Sequence, residues 1–124
     1  MQYAMLVYFN EPDFLALPGH EQQRLRNECA DWHEGLIKKG QSTGAMRLQP
    51  IATATTLREK NGKLVLFDGP FAETKEMLGG LVILECNNLD EAVALARNFP
   101  TLPAGFSLEL RPVMSDGVQR MEVT

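Results

Sequence analysis

At 124 residues and 13.8 kDa the chain has the size of a single domain with one core. Hydrophobic residues at 44% and charged residues at 23% match an ordinary globular fold, and no apolar run approaches the ~20 residues that a bilayer-spanning helix needs. A formal net charge of −4 argues against a duplex nucleic-acid binder, which must neutralise phosphates with clustered Lys and Arg.

The first predicted element is a strand from Tyr3 to Phe9, a nearly continuous apolar run of the kind covered on both faces. The preceding residues lack the basic start and small-residue cleavage site of a secretory signal, so the expected location is cytoplasmic. A turn-rich stretch, NEPDFLALPGH, carries His20 and leads to Leu25, Cys29, Trp32 and Leu36. Their spacing of four, three and four predicts the first helix, with Lys38, Lys39 and Gly40 as its C-terminal end. Ser42 to Leu48 reads as a short strand halted by Pro50. TATTLRE and KLVLF then flank Lys60-Asn61-Gly62, and Asn-Gly between two such runs is the strongest short hairpin signal. LVILEC is the next strand. A second helix starts from Asn88 as N-cap with Glu91 as its capping-box partner, carries Leu89, Ala92, Val93 and Ala96 on one face, and stops before Pro100. FSLELRPV closes the chain. Neither repeats nor linkers divide it, so a single domain is expected over residues 1–124, with a core of about 1–114 and a C-terminal tail of 115–124. Cys29 and Cys86 have no partner at metal-ligand spacing and read as buried, reduced thiols.

Without the hairpin the order is βαββαβ, the ferredoxin-like α+β arrangement. Right-handed crossovers put both helices on one face of the sheet. Strands such as MLVYF and LVILEC are apolar in both registers, so the other face needs a cover, and a second subunit supplies it. The expectation is a homodimer packed through its sheets, with a pocket between the open sheet face and the loops that cross it.

The stretch DGPFAETKEMLGG, residues 68–80, is long for a connection between two strands. Gly69 and Pro70 suit a tight turn, a short helical turn is expected through Glu73, Thr74, Lys75 and Glu76, and Gly79-Gly80 return the chain to a strand. Asp68 is either a general base buried in a pocket, which raises its pKa, or an acceptor for loop amides, which lowers it.

TATTLREKNGKLVLFDGPFAETKEMLGGLVILECNNLDEAVALARNFP, followed by LELRPVM, resembles the YCII-related family, and within it the branch named for its DGPF motif. The resemblance runs from Met1 to about Met114. It implies a ferredoxin-like subunit that dimerises in the manner of dimeric α+β barrels. For the wider group a histidine and aspartate pair has been suggested as an active site, and genes of the DGPF branch often accompany extracytoplasmic-function sigma factors. No reaction or substrate follows from the resemblance.

The candidate catalytic residues are Asp68 and His33, and the candidate substrate-binding residues are Arg47, Phe71, Glu73, Thr74, Lys75 and Trp32. Each has a structural alternative. His33 flanks the apolar stripe of the first helix, Trp32 belongs to it, Arg47 is able to pair with Glu73 or Glu76, Lys75 suits the surface, and Phe71 suits the role of loop anchor. No metal is expected, since His20 and His33 join no carboxylate motif, and no cofactor, since phosphate loops and dinucleotide fingerprints are missing from the sequence. Two functions remain in view: a homodimer that binds a small molecule near the DGPF loop, with acid-base chemistry as an option, or a non-catalytic accessory protein that acts on a protein partner such as a sigma factor.

Overall fold

Tyr3, Met5 and Val7 are buried along strand β1 (Gln2–Phe9), while the residues between them are half-buried, and this alternation orients the whole molecule. The computed structural model describes residues 1–114, so the expected tail of 115–124 lies outside the described residues. After β1 come helix α1 (Glu11–Leu15), helix α2 (Gly19–Lys38), strands β2 (Ser42–Arg47), β3 (Thr55–Lys60), β4 (Lys63–Asp68) and β5 (Met77–Glu85), helix α3 (Leu89–Ala96) and strand β6 (Ser107–Pro112).

Four strands form one antiparallel sheet in the order β2-β5-β1-β6. With β3 and β4 set aside, that order and the alternation with α2 and α3 are compatible with a ferredoxin-like α+β fold. Tyr3 lies opposite Leu84 and Met5 opposite Val82, so buried residues of β1 and β5 share one face. That face packs against Leu36 of α2, Ala92 and Ala96 of α3, and Phe99. Met5 and Leu84 are wholly buried, each worth about 1.5–3 kcal/mol of hydrophobic stabilisation. The opposite register, with Ala4, Leu6, Tyr8, Leu81 and Ile83, is half-buried.

Local sequence explains most boundaries and corrects others. The Asn88 side chain accepts a hydrogen bond from the Glu91 amide at 2.9 Å, and Glu91 accepts from Asn87, so α3 starts on a side-chain box as expected. Ala92 and Ala96 of its expected apolar face are buried, but Leu89 and Val93 are exposed. Small side chains let the helix come close to the sheet, and the large ones stay outside. α2 starts earlier than its apolar stripe indicated and takes in His20, which is exposed. The stretch read as turn-rich contains α1, capped by Asn10 accepting from the Asp13 amide at 3.0 Å and carrying Pro12 in its first turn.

β3 and β4 pair only with each other, in a two-stranded antiparallel sheet. The turn between them has positive φ at both Asn61 (52°) and Gly62 (77°), the conformation that two-residue hairpins favour. Leu57, Leu64 and Leu66 share one face of this pair and are 60%, 64% and 59% exposed.

Candidate functional site

Arg47, Gly80, Val7 and Leu108 form one row across the helix-covered face of the sheet, because β2, β5, β1 and β6 pair in that register. Gly80 contributes no side chain to the row, and a cleft of about 640 Å³ opens between α2 and the edge strand β2. The glycine is also required by close approach. A Cβ at position 80 would sit 2.7 Å from the Met46 carbonyl oxygen, and one at Gly79 would sit 2.5 Å from the Phe9 ring. Gly79 is the extra residue in a register shift between Val7 and Tyr8, which turns the strand at the cleft floor.

Two groups of aromatic rings wall the cleft. Phe9 stacks on Phe106 at 5.1 Å between centroids, and Phe14 meets both edge-on. Trp32 meets Phe99 edge-on at 5.1 Å. The polar lining comes from Glu11, Arg26, Cys29, His33, Arg47, Gln49 and Thr101. Glu11 accepts a hydrogen bond from the Ile51 amide at 3.0 Å, which ties α1 to the chain after β2. The Arg26 guanidinium stacks over Phe14 at 5.4 Å. The Thr101 hydroxyl oxygen is buried without a hydrogen-bond partner. Burial pushes the Cys29 thiol up from its ordinary value, with the charge of Arg47 pulling the other way.

His33 Nε2 is 2.9 Å from Ser42 Oγ, and Ser42 Oγ is 2.7 Å from the Ile83 carbonyl oxygen. The hydroxyl has one proton, and the Ile83 carbonyl takes it at the shorter distance than the Gly44 carbonyl at 3.3 Å. Ser42 is therefore an acceptor toward His33, so Nε2 carries hydrogen and, in the neutral ring, Nδ1 keeps the lone pair. The buried serine is a positioning group. It fills the irregular Ser42–Gly44 step in the β2–β5 pairing.

Of the residues singled out from sequence, Trp32, His33 and Arg47 come together in this cleft, on the helix-covered side of the sheet. Asp68, Phe71 and Glu73 line neither this cleft nor a second one, and all three are exposed. The second cleft, of about 540 Å³, is lined by Thr74, Lys75, Asn10, Asp13, Glu76 and Gly105. Residues 69–76 form bends with no helical turn. Other groups hold the loop: the Gly69 amide donates to Ala54 O at 2.7 Å, Thr56 Oγ1 donates to Gly69 O at 2.8 Å, and Arg58 stacks on Phe71 at 5.0 Å. Arg47 makes no ion pair with Glu73 or Glu76 among the described residues. Among the described residues, no three His, Cys, Asp or Glu side chains are grouped to hold a metal, and no helix is long and apolar enough to cross a membrane.

A family model for the YCII-related domain matches residues 1–115. The chain belongs to the YCII-related family. An uncharacterized protein of Rhizobium meliloti (strain 1021), R00369, is 36% identical over 114 residues, which cover 91% of this chain and 92% of that one.

In this YCII-related chain, sequence reasoning missed Phe9, Phe14, Arg26, Gly79, Gly80, Thr101 and Phe106 as cleft residues. One signal was available. A double glycine inside an otherwise apolar strand marks a place where another group comes close or a side chain is left out, which here is the cleft floor.

Proposed function

We propose that this protein, a member of the DGPF-motif branch of its family, is a single-domain homodimer that binds a small molecule in the cleft between α2 and β2. The carrying observation is the combination at that cleft: a glycine where the core row needs a side chain, aromatic walls, and a histidine fixed in one tautomer by a buried serine. The volume is in the range of small-molecule sites, about 300–1,000 Å³. His33 is the group placed for proton transfer, through Nδ1, with Ser42 holding the ring. Asp68 has no role in this reading, because it lies outside the cleft.

The test uses Trp32, the chain's single tryptophan, which lines the cleft. Ligands that enter there change its emission and raise the unfolding temperature of the protein together. In Ala30→Phe, which adds bulk at an exposed cleft-lining position on α2, both responses are expected to disappear while the fold is retained. Ligands that stabilise both forms equally, with no change in Trp32 emission, would rule the cleft out.

Homodimerisation rests on a separate feature. Among the described residues, no helix covers Leu57, Leu64 and Leu66 on the β3–β4 pair or the sheet register that includes Leu6 and Leu81. Two strands alone are marginally stable in water, so the pair needs a partner surface. A second copy is the proposed cover, and Leu57→Ser with Leu66→Ser is the variant that tests it.

A further inference from the structure

Arg26 and Arg47 both line the cleft, and neither forms an ion pair among the described residues. The ligand chemistry follows from their charges, on the reading that the cleft is a binding site. Among the described residues, the only carboxylate in the lining is that of Glu11, and one of its oxygens is engaged by the Ile51 amide. Two guanidinium charges against one carboxylate leave a single positive charge to balance, in a molecule whose formal net charge is −4. Arg26 is half-buried and held over the Phe14 ring at 5.4 Å, so its position is set by an aromatic wall of the cleft. Arg47 ends β2 directly beside Gly80, at the head of the row whose missing side chain makes the space. The two arginines come from α2 and the edge strand, and Phe9 of β1, Trp32 of α2 and Phe106 before β6 supply aromatic surface to the same cleft.

We propose that the cleft takes a monocarboxylate with an apolar, ring-sized body: Arg26 and Arg47 bind the carboxylate, and the aromatic walls take the body. A planar guanidinium matches a carboxylate with two parallel N–H···O bonds. One net charge favours a singly charged carboxylate over a doubly charged phosphate monoester. An uncharged ligand would leave both arginines without a counter-charge in the cleft and would gain no charge-assisted hydrogen bond from them.

The experiment is a titration of the intact protein with four probes that share one body, 3-phenylpropanoate, 3-phenylpropanol, 3-phenylpropylamine and 3-phenylpropyl phosphate, read by Trp32 emission and calorimetry. The carboxylate is expected to bind ~10-fold or more tightly than the alcohol, a difference of about one charge-assisted hydrogen bond. The amine is expected to bind weakest. In Arg47→Gln and in Arg26→Gln the advantage of the carboxylate over the alcohol shrinks, and in the double variant it disappears while alcohol binding stays within ~2-fold. Arg47 is exposed, so that variant keeps its fold even where Arg26→Gln does not. Equal binding of carboxylate and alcohol, stronger binding of the phosphate, or a preference that survives both substitutions would overturn the charge assignment and leave the cleft standing as an apolar site. If none of the four probes changes Trp32 emission, the cleft reading fails and the ligand class fails with it.

Discussion

Gly80 and the Met46 carbonyl are packed so closely that a single added methyl group at position 80 would meet the oxygen at 2.7 Å. The atoms that the methyl would meet belong to the backbone of Met46 and Arg47 in the paired strand, with no flexible side chain among them to move away. Gly80→Ala is therefore expected to push β2 outward or break its last pairing step. The expected cost is about 1–3 kcal/mol of stability, measured by denaturant unfolding with an unchanged m-value. Gly79→Ala meets only the Phe9 ring. A ring can turn, so that variant is expected to be the more stable of the two while disturbing the Phe9–Phe106 stack. The reverse ranking would mean that the close approach at Gly80 is relieved more easily than the packing implies.

Ser42 supports His33 and the strand at once. In Ser42→Ala the Ile83 carbonyl loses a 2.7 Å donor and His33 loses its acceptor, for a cost of about 1–3 kcal/mol. The informative readout is the tautomer. Long-range nitrogen–proton correlation spectra above pH 8 are expected to show His33 protonated at Nε2 in the wild type and as a mixture of tautomers in the variant. A wild type protonated at Nδ1 would contradict the assignment of Ser42 as acceptor.

The β3–β4 pair carries the prediction about assembly. Light scattering at micromolar concentration is expected to give a dimer for the wild type and a monomer for Leu57→Ser with Leu66→Ser, because polar groups on that face remove the apolar surface without touching the core. A wild-type monomer, or a variant dimer as tight as the wild type, would count against the proposed cover.

Both thiols are shifted in the same direction. Burial pushes Cys29 and Cys86 above the ordinary thiol value, with Glu91 adding to the effect at Cys86. Less thiolate is then present at neutral pH, so alkylation by iodoacetamide is expected to be much slower than for a free thiol until the protein is unfolded. The linkage has a definite sign. The folded state holds these protons more tightly than the unfolded state, so this contribution is fully present below the unfolded thiol value and is lost as pH rises from there through the folded value. Cys86 is buried as expected from the sequence, whereas Cys29 is half-buried and lines the cleft; rapid alkylation of Cys86 in the native protein at pH 7 would contradict its burial.

Much of the fold was legible in local sequence and the cleft was not. Asn88 with Glu91 announced α3, Asn61-Gly62 announced the turn between β3 and β4, and the apolar run of β1 announced a central strand, because each signal is carried by neighbours in the chain. α1 is not legible in the sequence although Asn10 and Pro12 are start signals, since five residues are too few for a helical period to emerge. Leu89 and Val93 share the periodic apolar face of α3 yet stay exposed, because periodicity marks a helix face without saying how closely that face approaches the sheet. The cleft depends on registers between distant segments: Arg47 meets Gly80 and Gly80 meets Val7 only after β2, β5 and β1 have paired. Asp68 drew attention through its motif, and no spacing rule in that motif says which side of the sheet it reaches.

The most direct test of the cleft is chemical-shift mapping on the isotopically labelled protein titrated with 3-phenylpropanoate. The expected perturbations centre on Cys29 to His33, Ala45 to Arg47 and Gly79 to Val82, where three elements of the cleft meet. Perturbations confined to Asp68 through Glu76, with those three segments unmoved, would contradict the assignment and return the site to the DGPF loop.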